Sequence, residues 1–335
     1  MEGRRRRPEW DIRPRVVHNG FPCARIDLAL RAPNLPDDVL RPHDDWRVLH
    51  ARGEGCAHLA YLLGGDHAAR VEGDLKASVI AARTDLLVQA KGSSFDLVPL
   101  AVPHDLGEDL SPPVVLGAVG TGPHSPLVAA VTARLAGVLG ADPVLASVSR
   151  DDDEDGAVKE TLQELGDHAP GAEQTLIRAS AAAGVLDELP ENGLLVLGAP
   201  GGSWWQRQFF GPGRRLMVKA PAGSVEVKAA PRRVFHAMTD LDALGAPMRA
   251  ADARAVMHGD AAPVTVDGEI VGLIRRSVLD GASDDTPLGD LMDEPVFVHV
   301  DDPIEAITAV APALDGAAVP VVDHTGRLVG GVALD

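Results

Sequence analysis

Three glycines, Gly198, Gly201 and Gly211, stand in the spacing Gly-x2-Gly-x9-Gly, which suits the holding of a nucleotide. Glycine lets a backbone approach a ligand without a Cβ in the way, and it permits the positive φ that turns N–H groups inward. Gly198 directly follows the apolar run Leu194-Leu195-Val196-Leu197, the pattern of a strand buried on both faces. Gly202 and Ser203 extend the same turn, and Gly211 opens a predicted helix over 214–218. A helix start offers free N–H donors and a positive dipole end to a phosphate. In an open parallel sheet, ligands sit outside the carboxyl ends of the strands. Val119, Gly120 and Val148, at the ends of two further predicted strands, therefore join the expected site. In a chain with 35 glycines the spacing alone is weak; its place after a buried strand gives it weight.

The elements that must position this site read cleanly. Val114-Val115-Leu116-Gly117-Ala118-Val119 predicts a first buried strand, and Gly120-Thr121-Gly122-Pro123-His124-Ser125 a turn in which Ser125 can cap the next helix. Helical spacing covers 127–139 and stops at Gly140. Further strands are predicted over 144–148, 174–178 and 194–197, with helices over 158–165 and 181–189. The run Asp151-Asp152-Asp153-Glu154-Asp155 reads as a solvated loop, with a cation site as the alternative. Alternation of strand and helix implies right-handed crossovers and an α/β fold with a parallel sheet. Composition breaks near 107–113 and 231–233 suggest three segments: 1–110, 111–233 and 234–335.

Residues 113–230 resemble the universal stress protein family, whose nucleotide-binding members carry this glycine spacing followed by Ser or Thr. The segment Lys219-Ala220-Pro221-Ala222-Gly223-Ser224-Val225-Glu226-Val227 and the turn Pro123-His124-Ser125 are similar to the family as well. Two departures bear on the ligand. Pro212 replaces the Ser or Thr and removes a hydroxyl and an N–H. Gly120 stands where binding members have Asp, so a carboxylate for ribose or metal is missing. The resemblance implies an adenosine-shaped slot with a weakened phosphate grip. Trp204, Trp205, Phe209 and Phe210 lie between the glycines; they read as a lid on the domain's own core or as a contact with another domain or subunit.

The last third holds an internal repeat. Ala262-Pro263-Val264-Thr265-Val266-Asp267-Gly268-Glu269-Ile270-Val271-Gly272 and Val319-Pro320-Val321-Val322-Asp323-His324-Thr325-Gly326-Arg327-Leu328-Val329-Gly330 each read as strand, turn and strand. Helices are predicted before them over 250–257 and 303–313. With Leu291-Met292-Asp293-Glu294-Pro295 as lead-in to the second copy, the repeats resemble a CBS-domain pair. That resemblance implies a cleft marked by Pro263, Gly272, Pro320 and Gly330. Ligand-holding copies have Ser or Thr three residues after the last glycine and Asp three further on. Here those positions hold Arg275 and Val278, then Ala333 with the chain ending at Asp335. A dimerising or inter-domain role is the alternative to ligand binding.

The first third says less. Strands are expected over 46–50, 68–71, 85–89 and 95–102, with a helix over 75–83; together with Lys91-Gly92-Ser93-Ser94 this order suggests a degenerate second copy of the middle domain. His18, His43, His50, His58 and His67 lack metal-ligand spacing. Cys23 and Cys56 form no CxxC, so neither a zinc site nor a disulfide framework is expected. The net charge of −18, with 49 acidic against 31 basic residues, argues against nucleic acid or an anionic membrane as partner. No apolar run reaches the roughly 18 residues of a membrane span. Arg4-Arg5-Arg6-Arg7 has no apolar stretch after it, and reads as a solvated tail or a contact for an anionic partner. The expectation is thus a cytoplasmic, homodimeric, non-enzymatic regulator that binds AMP, ADP or ATP and no metal. A structural adaptor or regulatory protein partner with vestigial pockets is the alternative. An adenine-nucleotide-using enzyme is less favoured, because neither a Walker A loop nor His-x-Gly-His occurs.

Overall fold

A computed structural model describes residues 45–53, 55–90, 95–107, 109–179, 184–199 and 220–334. They fall into two compact units, one ending at His236 and the other starting at Ala237. In the first, the chain lays down β1 (Val48–His50), helix α1 (Cys56–Gly64), β2 (Ala68–Arg70), α2 (Leu75–Ala81), β3 (Leu86–Val88) and β4 (Leu100–His104). Asp74 caps α2 by accepting from the Ala77 N–H at 2.8 Å. β5 (Val114–Ala118), α3 (Ser125–Leu139), β6 (Asp142–Ser149), α4 (Asp155–Leu165) and β7 (Glu173–Arg178) follow. Then come the single turn α5 (Gly184–Asp187), β8 (Leu194–Gly198) and β9 (Ser224–Lys228).

All nine strands form one sheet in the order β2-β1-β3-β4-β9-β8-β5-β6-β7. Every pairing is parallel except β4 with β9. The break near 110 therefore lies inside one continuous sheet. The core crosses it too: Leu59 and Leu63 of α1 share one apolar cluster with Leu127, Val131 and Leu135 of α3. Arg134 on α3 lies 5.8 Å from the Trp46 ring, and its Nε donates to the Leu63 carbonyl at 3.0 Å.

The two halves of the sheet share a register. His50 faces Val88 as Ala118 faces Leu197, and Val88 faces Ala101 as Leu197 faces Glu226. At the seam Ala101 pairs with Val227 and Val102 with Glu226. These are one pair seen from two sides, the relation a two-fold axis produces. β8 explains why its run is apolar throughout: Leu194 and Val196 face the α1–α3 layer, whereas Leu195 and Leu197 face the cluster that holds Val185 and Leu189.

The second unit contains two three-stranded sheets, β10-β11-β12 (Leu244–Gly245, Ala261–Val266, Glu269–Arg275) and β13-β14-β15 (Val298–His299, Val319–Val322, Leu328–Val332). Each pairs its first two strands in parallel and its last two as a hairpin. Val264 faces Gly272 as Val321 faces Gly330, and both hairpins bulge one residue later. The first hairpin turns through Asp267 and Gly268, both at positive φ, the geometry an Asp-Gly pair adopts in a two-residue turn. Helices Ala250–Val256 and Ala306–Val310 precede the hairpins. The second is shorter than the 303–313 expected; a 3-10 turn, Ala311–Ala313, takes over at Pro312.

Candidate functional site

β5 is flanked by β8 on one side and β6 on the other, so the crossovers of the second half diverge from it. Its carboxyl end is the switch point of that half. Val119 is buried there and donates its N–H to Ala146 O at 2.9 Å, and the turn then begins at Gly120. Ser125 does not cap α3. It is the first helical residue, and its Oγ accepts from the Gly120 N–H at 3.0 Å, tying the turn shut. His124 takes the capping position with no side-chain bond to the helix.

The His124 imidazole leans over the end of β8. A Cβ on Gly198 would stand 3.0 Å from the Cβ of His124, tight enough that the histidine would have to give by a few tenths of an ångström. His124 Nδ1 accepts from the Ala229 N–H at 3.2 Å, which leaves the ring proton on Nε2. Burial lowers the pKa of this histidine; the nearby Lys228 ammonium adds to the effect, and Glu226 works against it. The crest thus joins Val119, Gly120, His124, Ser125 and Gly198. It offers bare backbone, a neutral imidazole and the start of a 15-residue helix.

Val148 sits at the far end of β6, on the side of β5 away from β8. Gly201, Gly202, Ser203, Gly211 and Pro212 lie outside the described residues, as do the predicted helix over 214–218 and the four aromatics between the glycines. His124 was legible only as part of a turn; a single histidine after a strand carries no spacing signal. The acidic run enters α4: Asp151 accepts from the Asp153 and Glu154 N–H groups at 3.1 Å, and Arg178 pairs with Asp152 and Asp155. Among the described residues, no group of three or more His, Cys, Asp or Glu could hold a metal ion.

In the second unit the marked glycines have a packing task. A Cβ on Gly272 would stand 2.5 Å from Met292 Sδ, and one on Gly330 would stand 2.5 Å from Thr239 O. Each glycine receives the segment that leads into the other repeat. Leu273 and Asp293 exchange both backbone hydrogen bonds, at 3.1 and 2.8 Å, and Thr239 and Gly331 do the same at 2.8 and 2.9 Å. Pro263 and Pro320 hold matching places, facing Leu273 and Gly331 across their hairpins. A depression of about 340 Å³ lies beside Asp260, Arg275, Arg276, Asp280 and Asp315. Arg275 crosses between the repeats there: its Nη2 donates to Ala313 O at 2.9 Å, with Asp293 and Asp315 at 3.8 and 3.9 Å.

No family model matches the sequence, and no curated protein matches it. Several solved structures similar to this chain are CBS-domain proteins. A CBS-pair/ACT-domain protein of Thermotoga maritima is 22% identical, with a TM-score of 0.28, over 30% of this chain and 89% of its own. The CBS domains of a transcriptional regulator of Streptococcus pneumoniae are 20% identical, with a TM-score of 0.27, over 30% and 92%. CBSX2, a CBS-pair protein of Arabidopsis thaliana, was solved in complex with AMP; it is 21% identical, with a TM-score of 0.27, over 30% and 89%.

Proposed function

We propose that this chain is a non-enzymatic regulatory protein that senses an adenine nucleotide at the crest of β5 and β8. The observation that carries the reading is topological. The crest is a switch point of an open parallel sheet, the place where such sheets hold ligands. Gly120 and Gly198 put no Cβ of their own at the crest, and α3 begins between them. The choice of an adenine nucleotide rests on the resemblance of 113–230 to universal stress proteins. A sensor suits the crest better than an enzyme does: its hydroxyl is engaged with Gly120 and its histidine with Ala229.

For residues 237–334 one observation favours a structural role within the same protein. Arg275 crosses the depression between the repeats and ties them together, as an adaptor or dimerising module would need. A homodimer belongs to this reading, and light scattering on the full chain tests it.

Isothermal titration with AMP, ADP and ATP, with and without Mg²⁺, tests the sensor. One molecule per chain is the expected result. Gly198→Val should weaken binding by about tenfold or more, because its side chain displaces His124 from the crest and costs roughly 1–3 kcal/mol. Absence of heat and of any thermal shift at millimolar nucleotide would leave only the adaptor. Steady release of phosphate or pyrophosphate by the wild type would make the protein an enzyme.

A further inference from the structure

The crest of β5 and β8 is wired to the place where the chain leaves the sheet. His124 touches Gly198 on one side, and on the other its Nδ1 accepts the N–H of Ala229, the first residue after β9. Residues 229–236 then run to the amino ends of β3 and β4 and are pinned there. His236 Nδ1 accepts from the Arg233 N–H at 3.0 Å, so its Nε2–H donates to Thr84 O, at 3.1 Å. Arg233 Nη2 reaches Asp96 O at 3.5 Å, and Val234 and Phe235 are fully buried. At Ala237 the chain enters the second unit.

We infer that His124 is a positioning residue that couples occupancy of the β5/β8 crest to the exit segment 229–236. The inference rests on the crest being the nucleotide site. A ligand entering between Gly120 and Gly198 meets His124, whose Cβ lies 3.0 Å and whose ring Cγ and Cδ2 lie 3.8 Å from the place a Cβ on Gly198 would take. The ring cannot move without loading or releasing the Ala229 N–H, whose hydrogen bond it accepts at 3.2 Å. Small shifts at the crest thereby reach a segment that His236 and Arg233 bond to Thr84 and Asp96 in the other half of the sheet.

Hydrogen exchange of the amides at 232–236, read in the full-length protein at saturating ATP, tests the coupling. The wild type should show protection change by roughly fivefold on binding, the worth of one hydrogen bond. His124→Asn places a carbonyl oxygen near the Nδ1 position and should keep the effect. Ala229→Pro removes the donor from outside the crest and should abolish the change at 232–236 while titration still shows ATP binding. If Ala229→Pro does not fold, His124→Leu, which lacks the acceptor, takes its place; ATP is raised to saturate that variant whatever its affinity, and the change at 232–236 should again be lost. An equal change in the donor-less or acceptor-less variant, or none in a wild type that binds ATP, overturns the coupling and leaves the nucleotide site standing. Absence of ATP binding by the wild type overturns both.

Discussion

His124 and His236 are both held neutral by burial, and both use Nδ1 as an acceptor for a backbone N–H. Their pKa values lie below the ordinary value of 6.5. As pH falls, the unfolded chain therefore takes up protons before the folded one. Their contribution to stability is complete above about pH 6.5 and is lost progressively below it. Denaturant midpoints at pH 5 and 7 should differ in that direction, and His236→Gln should flatten the dependence. An unchanged slope in that variant would remove His236 from the account. The glycine sockets give a second expectation at this scale. Gly330→Ala drives a methyl group into Thr239 O and should cost about 1–3 kcal/mol. Gly272→Ala meets first the flexible Met292, although Asp293 O at 2.9 Å stands behind it, and should cost less. Thermal melts of the two variants rank them.

At the scale of elements, most of the sheet was legible because strands buried on both faces need continuous apolar runs, as in β5 and β8. The two hairpins were legible because Asp-Gly and the glycine-bearing turn Asp323–Arg327 demand particular backbone angles. Helix α1 has no clear signal in the sequence. Its nine residues lie between Gly55 and Gly65, both at positive φ, and its apolar positions span barely two turns. The capping position falls one residue before Ser125, since a hydroxyl beside a helix start can serve the turn as readily as the cap. The β4–β9 seam was beyond reach, because antiparallel pairing of strands more than a hundred residues apart leaves no local pattern. The seam carries its own prediction. Removing residues 1–110 bares the edge of β9 and the apolar face of α3, and an uncovered edge is a template for further pairing. The truncated protein should therefore self-associate, and sedimentation would show this. A monomeric, stably folded fragment would contradict the shared core.

For the whole molecule, the net charge of −18 means self-repulsion that salt should relieve. Raising salt from about 10 mM to 150 mM should increase Tm by roughly 2–4 °C, equivalent to about 1 kcal/mol for a unit of this size. A flat or falling Tm would indicate that ion pairs such as Arg47–Asp85 outweigh the repulsion. No described helix is long and apolar enough to cross a membrane. The antiparallel seam has a further electrostatic consequence. Helices in a parallel sheet all point the same way, so their dipoles add and one rim of the sheet becomes positive. Here the strands of the first half run against those of the second, and the contacting helices α1 and α3, each following the first strand of its half, run in opposing directions with them. Their dipoles cancel across the unit, while each half keeps its own positive rim at the opposite end of the sheet. An anion is drawn to the crest of β5 and β8 by the second half alone.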